Sequence, residues 1–170
     1  MNERTIILGT PSALQLRMYE VVIGAIEAMM AVARPGITLG ELYDAYVVFY
    51  DDAGFGGAPT QPCRCQMCCG MTAAAVFADQ KYLACGYALG ATYRPTWMDT
   101  TDTQSTMIYE GNPLVLAAGM TFLFNVVLTD PSLGLGVAAS DTVLITPEGC
   151  ESLSKLPRDL LVIPTEKPSL

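Results

Sequence analysis

The chain has 170 residues, of which 51% are apolar and 15% are charged, and it carries a net charge of -8. This length fits one domain with a buried core, and the composition excludes a disordered polypeptide. The excess of acidic residues disfavours nucleic acid and anionic membrane surfaces as partners. No apolar run reaches the roughly 20 residues of a membrane span, and "MNERTIILG" has no secretory pattern. We therefore expect a cytoplasmic protein whose cysteines are thiols.

Two helices are predicted in the first third of the sequence. Thr10 and Pro11 suit the start of the first helix, which ends at "RPG". Its apolar residues recur at helical spacing and form one stripe: Leu14, Met18, Val21, Val22, Ala25, Met29 and Val32. Thr38 and Glu41 form a possible capping box for the second helix, "ELYDAYVVFYDD", which runs to Gly54.

From Cys85 onward the sequence carries β signals. We predict strands in "CGYALGATY" and "TMIY", and two strands around a turn at Ala118-Gly119 in "PLVLAAGMTFLFNVVL". A hairpin is predicted in "DTVLITPEGCESLS", with its turn at "PEG", followed by a short strand in "DLLVI". The order of two helices and then strands favours an α+β fold with a curved antiparallel sheet.

The segment between these parts, residues 55–84, is rich in cysteine and glycine. Its "CRCQMCC" contains Cys63, Cys65, Cys68 and Cys69, and the Cys-x-x-Cys spacing at 65 and 68 is one that zinc sites use. A structural zinc site needs a second, distant pair, and Cys85 and Cys150 are isolated in the sequence. We therefore favour an inserted loop without metal.

Several motifs occur in one order along the chain. "RTIILGTPSALQLRMYEVV" is followed by "ARPGITLGEL", "CGYALGATYRPTW", "LVLAAGMTF" and "DTVLITPEGCESLSKLPRDLLV". This succession resembles the creatinase, proline dipeptidase and methionine aminopeptidase superfamily, over residues 3–54 and 84–163. The resemblance implies the pita-bread fold, mainly its C-terminal half. It divides the chain into a helical part (3–54), the cysteine-rich loop (55–84), a β part (85–163) and a Pro-rich tail (164–170).

Enzymes of this superfamily usually hold two metal ions with aspartate, histidine and glutamate side chains. In this chain the histidine position falls on Tyr87, and the two glutamate positions fall on Asn125 and Ser140. One aspartate position falls on Met1, and the other would precede the chain. The resemblance therefore implies that the two-metal site is lost and that no cofactor is bound.

One branch of the superfamily, which includes ectoine hydrolase and Xaa-Pro peptidase-like proteins, has a tyrosine at the histidine position, followed by "YPP.W". The matching stretch here is "GYALGATYRPTW", which contains Tyr87, Tyr93, Arg94 and Trp97. This resemblance implies a hydrolase acting on a C–N bond of a small amidine, amide or dipeptide. The alternative is a non-catalytic, N-terminally truncated relative that binds a small ligand or a partner chain, because the sequence contains no histidine to shuttle protons.

The candidate site residues follow from this resemblance. Tyr87 and Asp141 are the candidate catalytic residues, although Tyr87 could only line the pocket and Asp141 could only cap the hairpin. The candidate substrate-binding residues are Tyr93, Arg94, Trp97, Asn125 and Ser140. Expected partners are a small molecule or dipeptide, and either a second copy of the chain or a chain that supplies the missing N-terminal half.

Overall fold

The computed structural model describes residues 1–55, 59–62, 76–78, 84–90, 106–130 and 133–165. Two helices and ten strands lie in these ranges. They are β1 (Glu3–Arg4), β2 (Ile6–Leu8), α1 (Ala13–Val32), α2 (Leu39–Asp52), β3 (Pro59–Pro62), β4 (Val76–Ala78), β5 (Ala84–Ala88), β6 (Met107–Tyr109), β7 (Thr121–Asp130), β8 (Leu135–Ile145), β9 (Cys150–Ser152) and β10 (Leu161–Ile163). The predicted α+β class is confirmed.

Helix α1 begins later than its sequence suggested. Ser12, not Thr10, is the N-cap, because the Ser12 hydroxyl accepts from the Gln15 amide at 3.2 Å and the Gln15 side chain accepts from the Ser12 amide at 2.8 Å. This reciprocal pair satisfies two backbone donors that the first turn leaves unpaired. The predicted apolar stripe is largely confirmed, and Tyr19 and Ile26 extend it.

Helix α2 begins at the predicted capping box. The Thr38 hydroxyl accepts from the Glu41 amide at 3.1 Å, and the Glu41 carboxylate accepts from the Thr38 amide at 2.7 Å. The two helices approach closely at Gly24, where an added Cβ would lie 2.2 Å from Cζ of Phe49. The missing side chain therefore makes room for the ring.

The largest sheet has the strand order β1-β8-β7-β5-β6, with β9 also paired to β8. Strands β7 and β8 form its antiparallel centre, from Thr121 opposite Leu144 to Asp130 opposite Leu135. Alternate β7 residues are buried and share one hydrophobic cluster with both helices: Phe122, Phe124, Val126 and Leu128. The opposite side of the sheet, which we call the outer face, carries the remaining residues of β7.

Part of the predicted β pattern is confirmed and part is wrong. Strand β6, the β8–β9 hairpin and β10 occur where they were predicted. The first half of "PLVLAAGMTFLFNVVL" is not a sheet strand, because it pairs with the start of α2 instead. Leu114 accepts from the Leu39 amide at 2.9 Å, and Asn112 accepts from the Gly40 amide at 2.9 Å. These loop carbonyls satisfy the backbone donors of the first helical turn.

Strands β2 and β10 form a separate parallel pair with an apolar, exposed side. Ile6 lies opposite Leu161 and Leu8 opposite Ile163, and all four side chains are exposed.

Neither of the two described helices combines the length and the hydropathy that crossing a bilayer requires.

Candidate ligand-binding face of the sheet

Tyr87, Asn125 and Ser140 project from the same side of the sheet. Asn125 lies directly opposite Ser140 in the β7–β8 register, and Tyr87 lies opposite Leu123 in the β5–β7 register. Opposite residues of an antiparallel pair share a face, and so do residues two apart in one strand. The three positions that the family resemblance assigned to metal ligands therefore lie together on the outer face.

A glycine sets the position of Tyr87. The β5–β6 register shifts between Ala84 and Tyr87, which marks an irregularity in the strand. A Cβ on Gly86 would lie 2.2 Å from the Leu123 carbonyl oxygen, so β5 can approach β7 this closely only without a side chain there. On the other side of Gly86, Cys85 is fully buried in the helix-side cluster. Gly86 thus separates a core residue from an outer-face residue.

Two buried polar atoms on the outer face lack hydrogen-bond partners in the described part of the chain. They are Oδ1 of Asn125 and Oγ of Ser140. Ser140 is only 1% exposed, so bulk water does not replace the missing partner. Leaving a buried polar group unpaired costs about 1–3 kcal/mol, which makes such atoms uncommon. The outer face therefore holds unused hydrogen-bonding capacity.

Thr142 adds a further polar group to this face. Its hydroxyl accepts from the Met1 amino group at 2.8 Å and donates to the Met1 carbonyl oxygen at 2.6 Å. The hydroxyl of Tyr87 lies 3.7 Å from Sδ of Met1. Sequence reasoning missed Thr142, although it lies in the predicted hairpin, two residues after the candidate Ser140.

Asp141 projects to the other side of the sheet, toward the helices. Its Oδ1 accepts from Arg4 at 2.6 Å, its Oδ2 accepts from Arg158 at 2.8 Å, and its side chain is 1% exposed. Arg4 also donates to the Ser140 carbonyl at 2.7 Å. This network ties β8 to β1 and to the segment before β10. The catalytic role of Asp141 stays a prediction, and its contacts are those of a structural ion pair.

The remaining candidates are not placed. Tyr93, Arg94 and Trp97 lie outside the described residues, and so do the four cysteines of "CRCQMCC". The substrate-binding roles of Tyr93, Arg94 and Trp97 therefore stay predictions. So does the prediction that the cysteine-rich segment is an inserted loop that binds no metal.

The donor set of the outer face does not fit a pair of divalent metal ions. Tyr87, Asn125 and Ser140 offer a phenol, a carboxamide and a hydroxyl, whereas such metals are held by carboxylates and imidazole. Asp141 is paired with two arginines on the other side of the sheet. Glu3, opposite Ser140 in the β1–β8 register, supplies one carboxylate, whereas a two-metal site needs several. Within the described ranges, no three histidine, cysteine or acidic side chains converge on one point. We derive no catalytic step through a metal.

Sequence comparison identifies related proteins. Residues 2–147 match the model of metallopeptidase family M24. The chain is 29% identical to an ectoine hydrolase of Halomonas elongata, over 94% of this chain and 33% of that protein. It is 27% identical to an Xaa-Pro dipeptidase of Pyrococcus furiosus, over 93% of this chain and 36% of that protein. The chain thus spans about a third of the length of these curated relatives.

Solved structures share the fold. An X-Pro aminopeptidase from Thermotoga maritima aligns with a TM-score of 0.69 at 19% identity, over 94% of this chain and 36% of that one. A methionine aminopeptidase from Rickettsia prowazekii aligns with a TM-score of 0.56 at 17% identity, over 85% of this chain and 54% of that one. These likenesses confirm the predicted pita-bread fold.

Proposed function

Because the chain belongs to metallopeptidase family M24, we propose that it is a hydrolase-family domain that acts on a C–N bond of a small amidine, amide or dipeptide. The substrate lies against the outer face of the sheet. The observation that carries this proposal is a pair of buried polar atoms, on Asn125 and Ser140, that have no hydrogen-bond partner among the described residues and lie on the same face as Tyr87. The similarity to an ectoine hydrolase and to Xaa-Pro dipeptidases supports the substrate class.

Each outer-face residue has a proposed task. Asn125 and Ser140 bind and orient the substrate, and Tyr87 donates a hydrogen bond to the nitrogen or oxygen of the bond that breaks. Tyr93, Arg94 and Trp97 are proposed to hold the rest of the substrate. Asp141 acts indirectly, because Arg4 contacts both its carboxylate and the Ser140 backbone.

Turnover assays test this proposal. The purified chain is incubated with ectoine and with Xaa-Pro dipeptides, and product formation is compared with that of Tyr87→Phe. We expect the variant to lose activity by about 100-fold or more, the effect of removing one positioned proton donor. Tyr19→Phe is the matched control, because the Tyr19 hydroxyl contacts the Asp159 carbonyl, away from the outer face. Activity that is equal in the native chain and Tyr87→Phe would refute the role of Tyr87.

A second candidate function is binding without catalysis. It is favoured by the neutral character of Tyr87, Asn125 and Ser140, and by the two arginines that occupy the Asp141 carboxylate. Saturable binding of ectoine or a dipeptide without turnover would support it. In either case we propose that the chain binds a partner, which is a second copy of itself or a chain that supplies the rest of the fold. Sedimentation velocity tests this by measuring the size of the assembly. A cytoplasmic location stays a prediction.

A further inference from the structure

We propose that a second copy of this chain pairs with the open edge of β2, so that the two-stranded β2–β10 sheets of two copies join in one four-stranded sheet. This inference rests on the proposed function only for the expectation that the chain has a partner. It states which partner binds and where, and it does not depend on whether the outer face binds a substrate.

The first argument is that one edge of β2 is open. Among the described residues, β10 is the only strand that pairs with β2. The Gly9 amide donates to the Ile163 carbonyl at 2.8 Å, so the backbone groups of Ile7 also point toward β10. Successive residues of a strand point their N–H and C=O groups to opposite edges, so Ile6 and Leu8 point theirs away from β10. No described strand receives these four groups.

The second argument is that this edge lacks the features that keep sheet edges from pairing. Edge strands are commonly protected by proline, lysine or a bulge. The far edge of β10 has such protection, because Pro164, which directly follows β10, has no N–H to donate there. Strand β2 consists only of Ile6, Ile7 and Leu8, and its register with β10 is unbroken. The edge of β2 therefore permits strand addition.

The third argument is that the side chains beside this edge are apolar. Ile6 is 52% exposed and Leu8 is 68% exposed, whereas Ile7 between them is buried. Aliphatic side chains that lie opposite each other on adjacent strands stabilise the pairing. The edge therefore favours a strand that is itself aliphatic.

A second copy of β2 meets this requirement. Antiparallel pairing about a twofold axis at Ile7 places Ile6 opposite Leu8 of the second copy, and Leu8 opposite Ile6. Both residues are then hydrogen-bonded pairs, so this register uses every outward N–H and C=O group of β2 in both copies. Ile7 lies opposite Ile7 of the second copy, so each cross-strand pair is aliphatic.

The same register keeps like charges apart. Glu3 and Arg4 are the only charged residues between positions 3 and 11. The twofold pairing places Glu3 opposite Pro11 and Arg4 opposite Thr10, so neither residue faces a like charge. Because the contact is self-complementary, it closes as a dimer and leaves no open edge on β2.

Sedimentation velocity over a range of chain concentrations tests for the dimer, and charged variants test its register. The first variant combines Ile6→Lys with Leu8→Lys, which places lysine opposite lysine twice. The second combines Ile6→Lys with Leu8→Glu, which places lysine opposite glutamate twice. We expect the native chain to dimerise, and the double-lysine variant to bind its own copy at least about tenfold more weakly than the lysine–glutamate variant.

The two variants are matched, because both change the same two exposed positions. Two added lysines move the net charge of each copy from -8 to -6, so general repulsion between copies is smaller in the variant that we expect to dissociate. Val48→Lys is the control for added charge elsewhere, since Val48 is 58% exposed on α2. We expect Val48→Lys to leave the dissociation constant unchanged.

Amide hydrogen exchange supplies a second readout. The amides of Ile6 and Leu8 point to the open edge, so their protection should rise with chain concentration in the native chain. The Gly9 amide already bonds to Ile163, so its protection should change less. In the double-lysine variant, the amides at positions 6 and 8 should stay unprotected at concentrations where the native chain is a dimer.

Three results would overturn the inference. The first is a chain that is monomeric at every concentration, which would leave a chain that supplies the rest of the fold as the partner. The second is equal dimerisation of the double-lysine and lysine–glutamate variants, which would place the contact elsewhere. The third is protection of the Ile6 and Leu8 amides at every concentration, which would mean that another part of this chain covers the edge.

Failure of this inference is distinguishable from failure of the proposed function. A dimer with the expected register but without substrate turnover would contradict the hydrolase proposal alone. Turnover by a monomeric chain, abolished by Tyr87→Phe, would contradict this inference alone.

Discussion

Ser140 and Asp141 are adjacent in the chain and project from opposite faces of β8. Ser140 presents on the outer face a hydroxyl that no described residue pairs with, while Asp141 is held between Arg4 and Arg158. A buried carboxylate with two guanidinium partners fixes the position of the strand. The division of roles follows from the two-residue period of a strand.

The Asp141 network gives a prediction for stability. Asp141→Asn removes the negative charge between two arginines, and breaking a buried ion pair in this way costs about 3–5 kcal/mol. Glu27→Gln is the matched control, because Glu27 meets the same Arg158 at 3.4 Å but is 59% exposed. Exposed pairs contribute about 0–1 kcal/mol. Urea unfolding measures both, and equal effects would refute a structural role for Asp141.

Gly86 gives a second prediction at this scale. Gly86→Ala places a Cβ against the Leu123 carbonyl and within 2.8 Å of Cδ1 of Ile108. We expect a loss of about 1–3 kcal/mol, the range for overpacking, together with displacement of Tyr87. Gly90→Ala is the control, because among the described residues no atom beyond its chain neighbours lies within 4 Å of the added Cβ. A Gly86→Ala chain as stable as Gly90→Ala would show that β5 and β7 are not this close.

At the scale of elements, the capping box of α2 makes stability depend on pH. The hydrogen bond from the Thr38 backbone amide lowers the pKa of Glu41 from its ordinary value of 4.5. A carboxylate whose pKa is lowered by folding stabilises the folded chain at pH values above its unfolded-state pKa. This stabilisation is lost as the pH falls through the lower, folded-state pKa. We therefore expect the first turn of α2 to lose hydrogen-exchange protection below about pH 4.5, and Glu41→Gln to abolish that dependence.

Helix α1 is an internal control for this measurement. Its capping box uses the neutral side chains of Ser12 and Gln15, so it has no carboxylate to titrate. Protection of the first turn of α1 should remain constant over the same acidic range. Equal loss of protection in both helices would mean that general acid unfolding, and not Glu41, is responsible.

The same elements show what local sequence signals can predict. The Thr38–Glu41 box and the "PEG" turn were predictable because each consists of residues within four positions of one another. The segment before Gly119 was predicted as a strand and is not one, because its carbonyls pair with α2, which is distant in sequence. Tertiary pairing of this kind overrides local β propensity.

At the scale of the whole molecule, two buried groups predict a loss of stability in alkali. Burial raises the pKa of Tyr43 to about 12 and the pKa of the Cys85 thiol well above its ordinary value of 9.0. Groups with raised pKa values stabilise the fold below their ordinary values, and the contribution is lost as pH rises through the folded ones.

We therefore expect the free energy of unfolding to fall above pH 9 and to continue falling to about pH 12. Tyr43→Phe removes one of the two groups, so its unfolding free energy should fall less steeply between pH 10 and pH 12. Urea unfolding at several pH values measures this. Identical curves for the native chain and Tyr43→Phe would contradict the assigned burial.

The candidate site was predictable only in part. The ordered motifs placed Tyr87, Asn125 and Ser140 at equivalent family positions, and the register puts them on one face. The same motifs did not separate Asp141 from Ser140, because a family pattern does not say where the strand begins and so does not show that both residues belong to it. Arg4 and Arg158 were missed because their partner lies more than 15 residues away in sequence, at separations that no local spacing reveals.

The most direct test of this account is a nuclear Overhauser measurement on the free chain. A one-residue shift in strand register moves every side chain to the opposite face, so the side-chain amide of Asn125 reports which residue it faces. We predict cross-peaks from this amide to the β protons of Ser140 and none to those of Asp141. Cross-peaks to Asp141 and not to Ser140 would contradict the shared face on which the proposed site depends.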